Sequence, residues 1–497
     1  MKVERPSRQV LVLGAGLAGL AAGYELVKGG FEVTIVEKNE AVGGLARTIE
    51  KNGFRFDTGP HRWYTKNDMV NNWMLKLLGK EVIKVPRLTR IYFDRKFFNY
   101  PIKIKSTILG MGLVKTILAV LDYGLVRIQA FFHSRPPVTL EEGYVSKFGR
   151  TLYEMFFRRY SEKLWGTSCK NISADWIGQR TRGFNISTII KDILFKPQNV
   201  VSFVDEFSYP EKGIGRIAEK LAADFKKGGG KILLSSEVVT VEHDQKRVTA
   251  VVVKRKTGAK KLVIQEVISS IPISDFIQSL NPVVPSEIAR TNHKLTYRDE
   301  LQVAIFINKT HLTADTWIYV HSLDLPYVRF MEMDNWSDKL SPEGTTTLVF
   351  EIACNEGDQT WRQTDRQIVD LVVSAFIKEF NLITEADILG SFVHRMPKEY
   401  PVYHLGYRKD LSLLKNYLSR LGNLQLVGRN GTFRYNNMDH SIEMGLYAAW
   451  NIIEGERKFD VESVNIEREY LEEKKLFDKA PELAEDVSVE ENEPSHE

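Results

Sequence analysis

Cysteine is nearly absent from this chain. Only Cys169 and Cys354 occur among 497 residues, far apart, so they build neither a disulfide framework nor a cysteine-based metal site. A reduced, cytoplasmic setting and no metal are expected. No Walker, zinc-ligand or Ser-His-Asp pattern points to kinase or hydrolase chemistry. Charge of one sign is also lacking. The 68 Lys and Arg against 64 Asp and Glu leave +4, which indicates no nucleic-acid partner. That total hides an acidic end: residues 478–497 carry eight acids and one lysine, net −7, so the rest of the chain is +11. The tail is poor in aromatics and is expected to be disordered, while the basic body suits anionic ligands. No apolar run is long and clean. The most apolar region, about 102–132, is broken by Lys115, Asp122 and Arg127, against a bilayer span. It reads as helices of a second domain, with a membrane-surface patch as the lesser reading. No internal repeat is visible.

What is present is concentrated in the first forty residues. Val10-Leu11-Val12-Leu13 is a strand-length apolar run leading into Gly14-Ala15-Gly16-Leu17-Ala18-Gly19. Helix-forming Leu20 to Val27 follows, and Gly29-Gly30 stops it. A second strand, Phe31 to Val36, ends on Glu37, eighteen residues past Gly19. Strand, glycine-rich turn, helix, strand and acid together fit a dinucleotide. Gly14 allows the turn, Gly16 lets backbone approach the pyrophosphate, and Gly19 lets helix and strand pack. The pyrophosphate sits on the helix amides and dipole, and Glu37 can accept from ribose hydroxyls. The apolar stretch 10–27 also lies where a signal peptide would, but this motif accounts for it better.

A second glycine pair, Gly43-Gly44, follows the acid, then Leu45-Ala46-Arg47 and the segment Asp57-Thr58-Gly59-Pro60-His61. This resembles the extended N-terminal signature of amine-oxidase-like flavoproteins, which bind FAD. The resemblance implies that the glycine pair and the basic residue lie on the diphosphate and that the Asp-x-Gly-x-His segment reaches the flavin. No second dinucleotide fingerprint exists, so any NAD(P)H would bind only transiently.

Further along, residues 66–78 have helical periodicity and 90–98 read as a hairpin. Segment 138–195 looks largely helical; Thr139-Leu140-Glu141-Glu142 opens one helix, and Ser173 to Arg180 reads as a capped helix. Strands at 231–234 and 262–269 are expected to extend the cofactor sheet, 300–352 to hold several strands, and 424–427 to close the sheet before a helix from Met438. The expected class is α/β (α+β): a Rossmann-like FAD-binding domain with an inserted helical and antiparallel-sheet substrate domain. FAD-binding parts are assigned to 1–65, 201–275 and 396–457, a helical substrate domain to 66–200, an antiparallel-sheet substrate domain to 276–395, and a C-terminal extension to 458–497.

Later segments carry a narrower resemblance. Lys163-Leu164-Trp165-Gly166, Asp175 to Arg180, Trp317-Ile318-Tyr319, Pro326-Tyr327-Val328-Arg329, Tyr400-Pro401 and Gly428 to Ser441 resemble the UDP-galactopyranose mutase family and the protoporphyrinogen-oxidase-like flavoproteins near it, over about residues 8–455. The resemblance implies a cofactor set of Gly14, Gly16, Leu17, Ala18, Gly19, Glu37, Lys38, Gly44 and Leu45. It adds Gly59, Pro60, His61, Val238, Gly428, Arg429, Met438, Asp439 and Ser441. A substrate set of Arg180, Tyr319, Arg329, Tyr400, Tyr435 and Asn437 follows, with His61, Arg180 and Arg329 in catalytic roles. Arginine forks suit a diphosphate, so a pocket lined by positive charge is expected beside the flavin. The implied reaction is redox-neutral: reduced flavin attacks the anomeric carbon of a UDP-sugar and UDP departs. The alternative is an FAD oxidoreductase of an apolar or amine substrate, in which Arg180 and Arg329 matter little. A silent flavin-binding scaffold is a third reading.

Overall fold

The computed structural model describes residues 9–100, 112–132, 135–177 and 206–465. Its centre is a five-stranded parallel sheet ordered Leu424–Leu426, Glu266–Ser269, Gln9–Leu13, Glu32–Val36 and Lys231–Leu233. The first strand is central and almost wholly buried, as an apolar run covered on both faces must be. The chain leaves this sheet three times and returns, the second time to build a separate sheet of Glu237–His243, Val248–Arg255 and Gly258–Val263 with Leu280–Asn281, so its strands come from four stretches of sequence. Helix Leu17–Lys28 packs on one face between Arg216–Lys227 and the long helix Met438–Glu454. Helix Arg216–Lys227 buries Ile217, Ala218, Leu221, Ala222 and Phe225, one stripe at helical spacing.

A seven-stranded sheet stands beside it, ordered Ile388–Pro401, Tyr297–Ile307, Thr346–Cys354, Arg329–Glu332, Trp317–Val320, Thr89–Phe93 and Lys96–Asn99. The early hairpin therefore joins a sheet made mostly of residues from 297 onward, through parallel pairing of Thr89–Phe93 with Trp317–Val320. Strand Ile388–Pro401 pairs continuously with Tyr297–Ile307 apart from local bulges. It runs through the boundary expected at 395/396, because a ladder of backbone hydrogen bonds has no reason to stop there.

The helical stretch Leu140–Trp165 packs on the seven-stranded sheet, with Phe156 against Phe93 and Phe98. Thr139 opens it with a capping box: Thr139 Oγ1 accepts from Glu142 N (3.1 Å), and Glu142 Oε2 accepts from Thr139 N (3.3 Å). This is what the cap-like residue and early acids required. Of the helix expected over Ser173 to Arg180, the described part is a 3₁₀ turn, Ala174–Trp176, followed by helical Ile177. Arg180 itself lies outside the described residues, as does the acidic tail.

Candidate functional site

The glycine-rich turn divides into glycines that pack and glycines that face a ligand. Gly14 has φ +97°, and a Cβ on it would stand 2.4 Å from Ser270 Oγ. A Cβ on Gly19 would stand 2.1 Å from Gly14 O, so Gly19 serves the contact of helix with strand rather than a ligand. Gly16 is different: a Cβ there meets nothing nearer than Gly44 Cα at 3.9 Å. It caps helix Leu17–Lys28 without any side-chain bond, which leaves first-turn amides for an anion. Gly43 N donates to Ala15 O (2.8 Å), seating the second glycine pair against the first.

These residues open on a groove of about 670 Å³. It runs from Gly14, Gly16, Leu17 and Ala18 past Glu37, Lys38, Gly44 and Leu45 to Val238, then to Gly428, Arg429, Met438 and Ser441. Buried Glu37 is fixed at the strand end by accepting from Ala15 N (2.8 Å) and Asn39 N (2.9 Å). Arg47 lines the groove with its Nε buried and unpartnered among the described residues, while its Nη2 lies 2.8 Å from His394 Nε2. An acid at one end, bare helix amides and an unpartnered guanidinium nitrogen between fit the adenosine-diphosphate half of a dinucleotide.

A second cavity, about 260 Å³, adjoins the groove. His61, Arg429, Asn437 and Met438 line both spaces, so they mark the shared wall. Gly59, Pro60 and Asp439 face only the second cavity. Asp57, at the head of the same segment, is turned away: its carboxylate accepts from Tyr209 Oη (2.6 Å), Thr48 Oγ1 (2.6 Å) and Ile214 N (3.1 Å). It holds the loop rather than meeting a ligand.

Strand register builds one wall of this cavity. Residues opposite one another on neighbouring strands share a face. Tyr319 pairs with Arg329, Arg329 with Glu351, Glu351 with Gln302 and Gln302 with His394. One transverse row of five strands thus delivers the first four to the cavity and His394 to the groove, with Glu300 two residues along on the same face. Glu399 and Tyr400 arrive from the end of the last strand, and Tyr435 and Asn437 from the loop before Met438. Tyr144, Phe148, Phe156, Phe157, Tyr160 and Trp176 close the other side.

The electrostatics refine the sequence reading. Arg329 is buried and ion-paired through Nη2 with buried Glu351, while its Nε is unpartnered among the described residues. Arg429 donates from Nη1 to Glu399 Oε1 (3.1 Å) and from Nη2 to Asn436 O (2.8 Å), and it lies 4.8 Å over the Tyr435 ring. Two cations therefore face three buried carboxyls, Glu300, Glu351 and Glu399. Arg62 and Arg87 also line the cavity, so the expected positive charge is present but partly neutralised by carboxylates. Burial, then repulsion from Glu351 and Glu399, pushes Glu300 well above the usual carboxylate range. The shift favours its protonated form, which can donate. Burial also raises Glu399, against the pull of Arg429. For His61, burial and then Arg429 and Arg329 pull its pKa down to about 3. The ring is neutral, and its Nδ1 has no partner among the described residues.

The Lys-Leu-Trp-Gly segment is mainly structural. Lys163 Nζ donates to Ser322 O (2.8 Å) and Tyr327 O (2.6 Å), and Trp165 meets Trp176 edge-on at 4.5 Å. Glu300, Gln302, Glu351, Glu399, Arg47 and His394 escaped the sequence reading as site residues. The available signal was polar residues within otherwise buried strands, Glu300 and Gln302 in one and Glu351 in another, where only pairing or function sustains them.

The NAD(P)-binding Rossmann-like domain family matches residues 12–77. Over 456 residues the chain is 21% identical to a probable UDP-galactopyranose mutase of Klebsiella pneumoniae, covering 89% of this chain and 94% of that one. A solved structure of reduced UDP-galactopyranose mutase superposes with a TM-score of 0.76 at 21% identity, over 90% of this chain and 96% of the other. An Exiguobacterium protein assigned as a protoporphyrinogen oxidase gives 0.68 at 15% identity, over 90% and 99%. The relatives carry enzyme names, and the chain shares the fold of these solved structures over about 90% of its length.

Proposed function

We propose that the protein is an FAD-dependent enzyme that acts with reduced flavin on a nucleotide sugar, without net redox change. One observation carries the reading: the dinucleotide groove and the cavity bearing Arg329, Tyr319, Tyr400 and Tyr435 share His61, Arg429, Asn437 and Met438 as a common wall. The full-length likeness to a UDP-galactopyranose mutase supports the choice of substrate class. Gly16, Gly44, Glu37 and Arg47 would hold the dinucleotide, with the reactive ring at the shared wall. When bound, reduced flavin supplies a nucleophilic ring nitrogen.

The protein's own groups do the rest. Arg329 offers its unpartnered Nε to a diphosphate oxygen, a charge-assisted bond that strengthens as the leaving group gains charge. Glu300, in the protonated form that burial favours, can donate on the same side. Glu351 keeps Arg329 aimed and tolerable in the buried site before any ligand arrives. Neutral His61 sits at the shared wall without adding positive charge. Phe148, Phe156, Phe157 and Trp176 line the cavity and would exclude water once a ligand fills it.

Calorimetry of UDP and UDP-sugars against the reduced and oxidised protein tests this. Micromolar binding, tighter to the reduced form, is expected, with turnover that consumes no net reductant. No binding to either form sinks the proposal. The same apolar wall and the prior neutralisation of Arg329 and Arg429 by carboxylates favour one rival, an oxidoreductase of a largely apolar substrate. Steady oxygen or NAD(P)H consumption tied to turnover selects that rival.

A further inference from the structure

Helix Leu113–Phe132 carries a surface that the site does not explain. At 3.6 residues per turn, Val114, Ile117, Leu118, Leu121, Leu125 and Ile128 fall within an arc of about 100°, and each is between 50% and 72% exposed. The opposite face buries Ala119 and Tyr123 and packs on the stretch Leu140–Leu152. The helix carries its acid and one cation on the same flank, but of these two only the acid is engaged by the protein among the described residues. Its one acid, Asp122, is half-buried and accepts from Thr151 N (2.7 Å). Its two cations, Lys115 and Arg127, are exposed, one on each flank of the apolar arc.

We propose that this face docks the protein on an anionic lipid surface, with the helix lying in the plane of the headgroup boundary. No helix among the described residues is long and apolar enough to cross a membrane, so the contact is interfacial. Outward apolar residues between flanking cations, with the acid turned inward, are complementary to acyl chains beneath anionic headgroups. A second copy of the chain fits less well. A stable dimer engages roughly 20–30 residues a side, whereas this is a single convex ridge bordered by like charges that would meet across a two-fold axis. The ridge is also continuous with the site: the stretch it packs on supplies Tyr144 and Phe148 to the cavity wall. Docking therefore brings that wall near the lipid boundary, whichever reaction the cavity performs.

Co-sedimentation of the full chain with vesicles tests the proposal, using phosphatidylcholine alone and phosphatidylcholine mixed with phosphatidylglycerol. Binding to the anionic vesicles should exceed binding to the neutral ones by on the order of tenfold, the preference that two cations supply. Leu121→Glu combined with Leu125→Glu should remove binding and keep near-ultraviolet circular dichroism unchanged. Lys115→Gln combined with Arg127→Gln should abolish the lipid preference while the apolar stripe stays intact. Absence of sedimentation with either vesicle overturns the proposal, as does equal binding to both. So does a concentration-dependent dimer in ultracentrifugation that the two glutamate substitutions dissolve.

Discussion

Arg329 and its carboxyl neighbours show how little a single residue says outside its pairing. Removing Glu351 leaves a buried guanidinium uncompensated, which costs about 3–5 kcal/mol. Glu300 is different, because burial and repulsion favour its protonated form, with which a neutral amide is nearly isoelectronic. Glu351→Gln should therefore lower the urea midpoint strongly, while Glu300→Gln should change stability by under about 1 kcal/mol. A reversed order in the two denaturation curves would show that the proton resides elsewhere in the cluster. Function separates the same residues in another way. Arg329→Lys keeps a charge for Glu351 but loses the planar fork. UDP affinity in calorimetry should then fall on the order of 10–100-fold, with the fold unchanged. An unaffected affinity would move the diphosphate away from this strand.

At the scale of the element, the glycine turn supplies a matched pair of changes. Gly19→Ala drives a methyl to 2.1 Å from Gly14 O, a backbone atom that cannot swing aside. Destabilisation of about 1–3 kcal/mol or more is expected. Gly16→Ala has 3.9 Å of clearance within the protein and an ordinary φ of −71°. It should fold as the parent does and yet lose flavin affinity more than about tenfold, because the methyl fills the space the pyrophosphate needs. Flavin reconstitution measured beside thermal unfolding separates these outcomes. This turn was legible in the sequence because every relation in it is local: strand, glycine spacing, helix and acid lie within some thirty residues. The same holds for the cap at Thr139. The row Tyr319, Arg329, Glu351, Gln302 and His394 was not legible as a row, because register between distant strands creates it. Arg329 was found through resemblance, but its partner Glu351 was not, so the carboxylates that partly neutralise the cavity were missed. Helix Leu113–Phe132 was readable as a helix, yet periodicity alone does not say which face the protein covers.

Taken as a whole molecule, the buried titrating groups pull stability in opposite directions. Burial first of all lowers His61 and His321 to about 3 and His394 to about 4, from an ordinary 6.5. Below pH 6.5 the unfolded chain takes up protons at these positions and the folded chain does not, so their contribution is lost as pH falls toward their folded values. Asp57 and Asp334 behave oppositely. Burial raises both to about 6, so between pH 3.8 and 6 the folded chain keeps protons the unfolded chain has released. Stability from these two grows as pH falls through that window. Glu300 and Glu399, raised by burial, act in the same sense. The two sets offset each other between about pH 4.5 and 6.5, and one substitution should break the balance. His321 stacks on Tyr160 at 4.6 Å and lines only the second cavity, so it can be replaced without touching the dinucleotide groove. His321→Gln removes one depressed base and leaves the raised acids in place. Relative to the parent, this variant should gain stability as pH drops below 6.5, approaching about 1.4 kcal/mol per pH unit for a full proton. Urea midpoints of both proteins from pH 7.5 to 4.5 measure that difference directly. Parallel curves would mean that His321 carries its proton inside the folded protein and that Lys163 beside it does not.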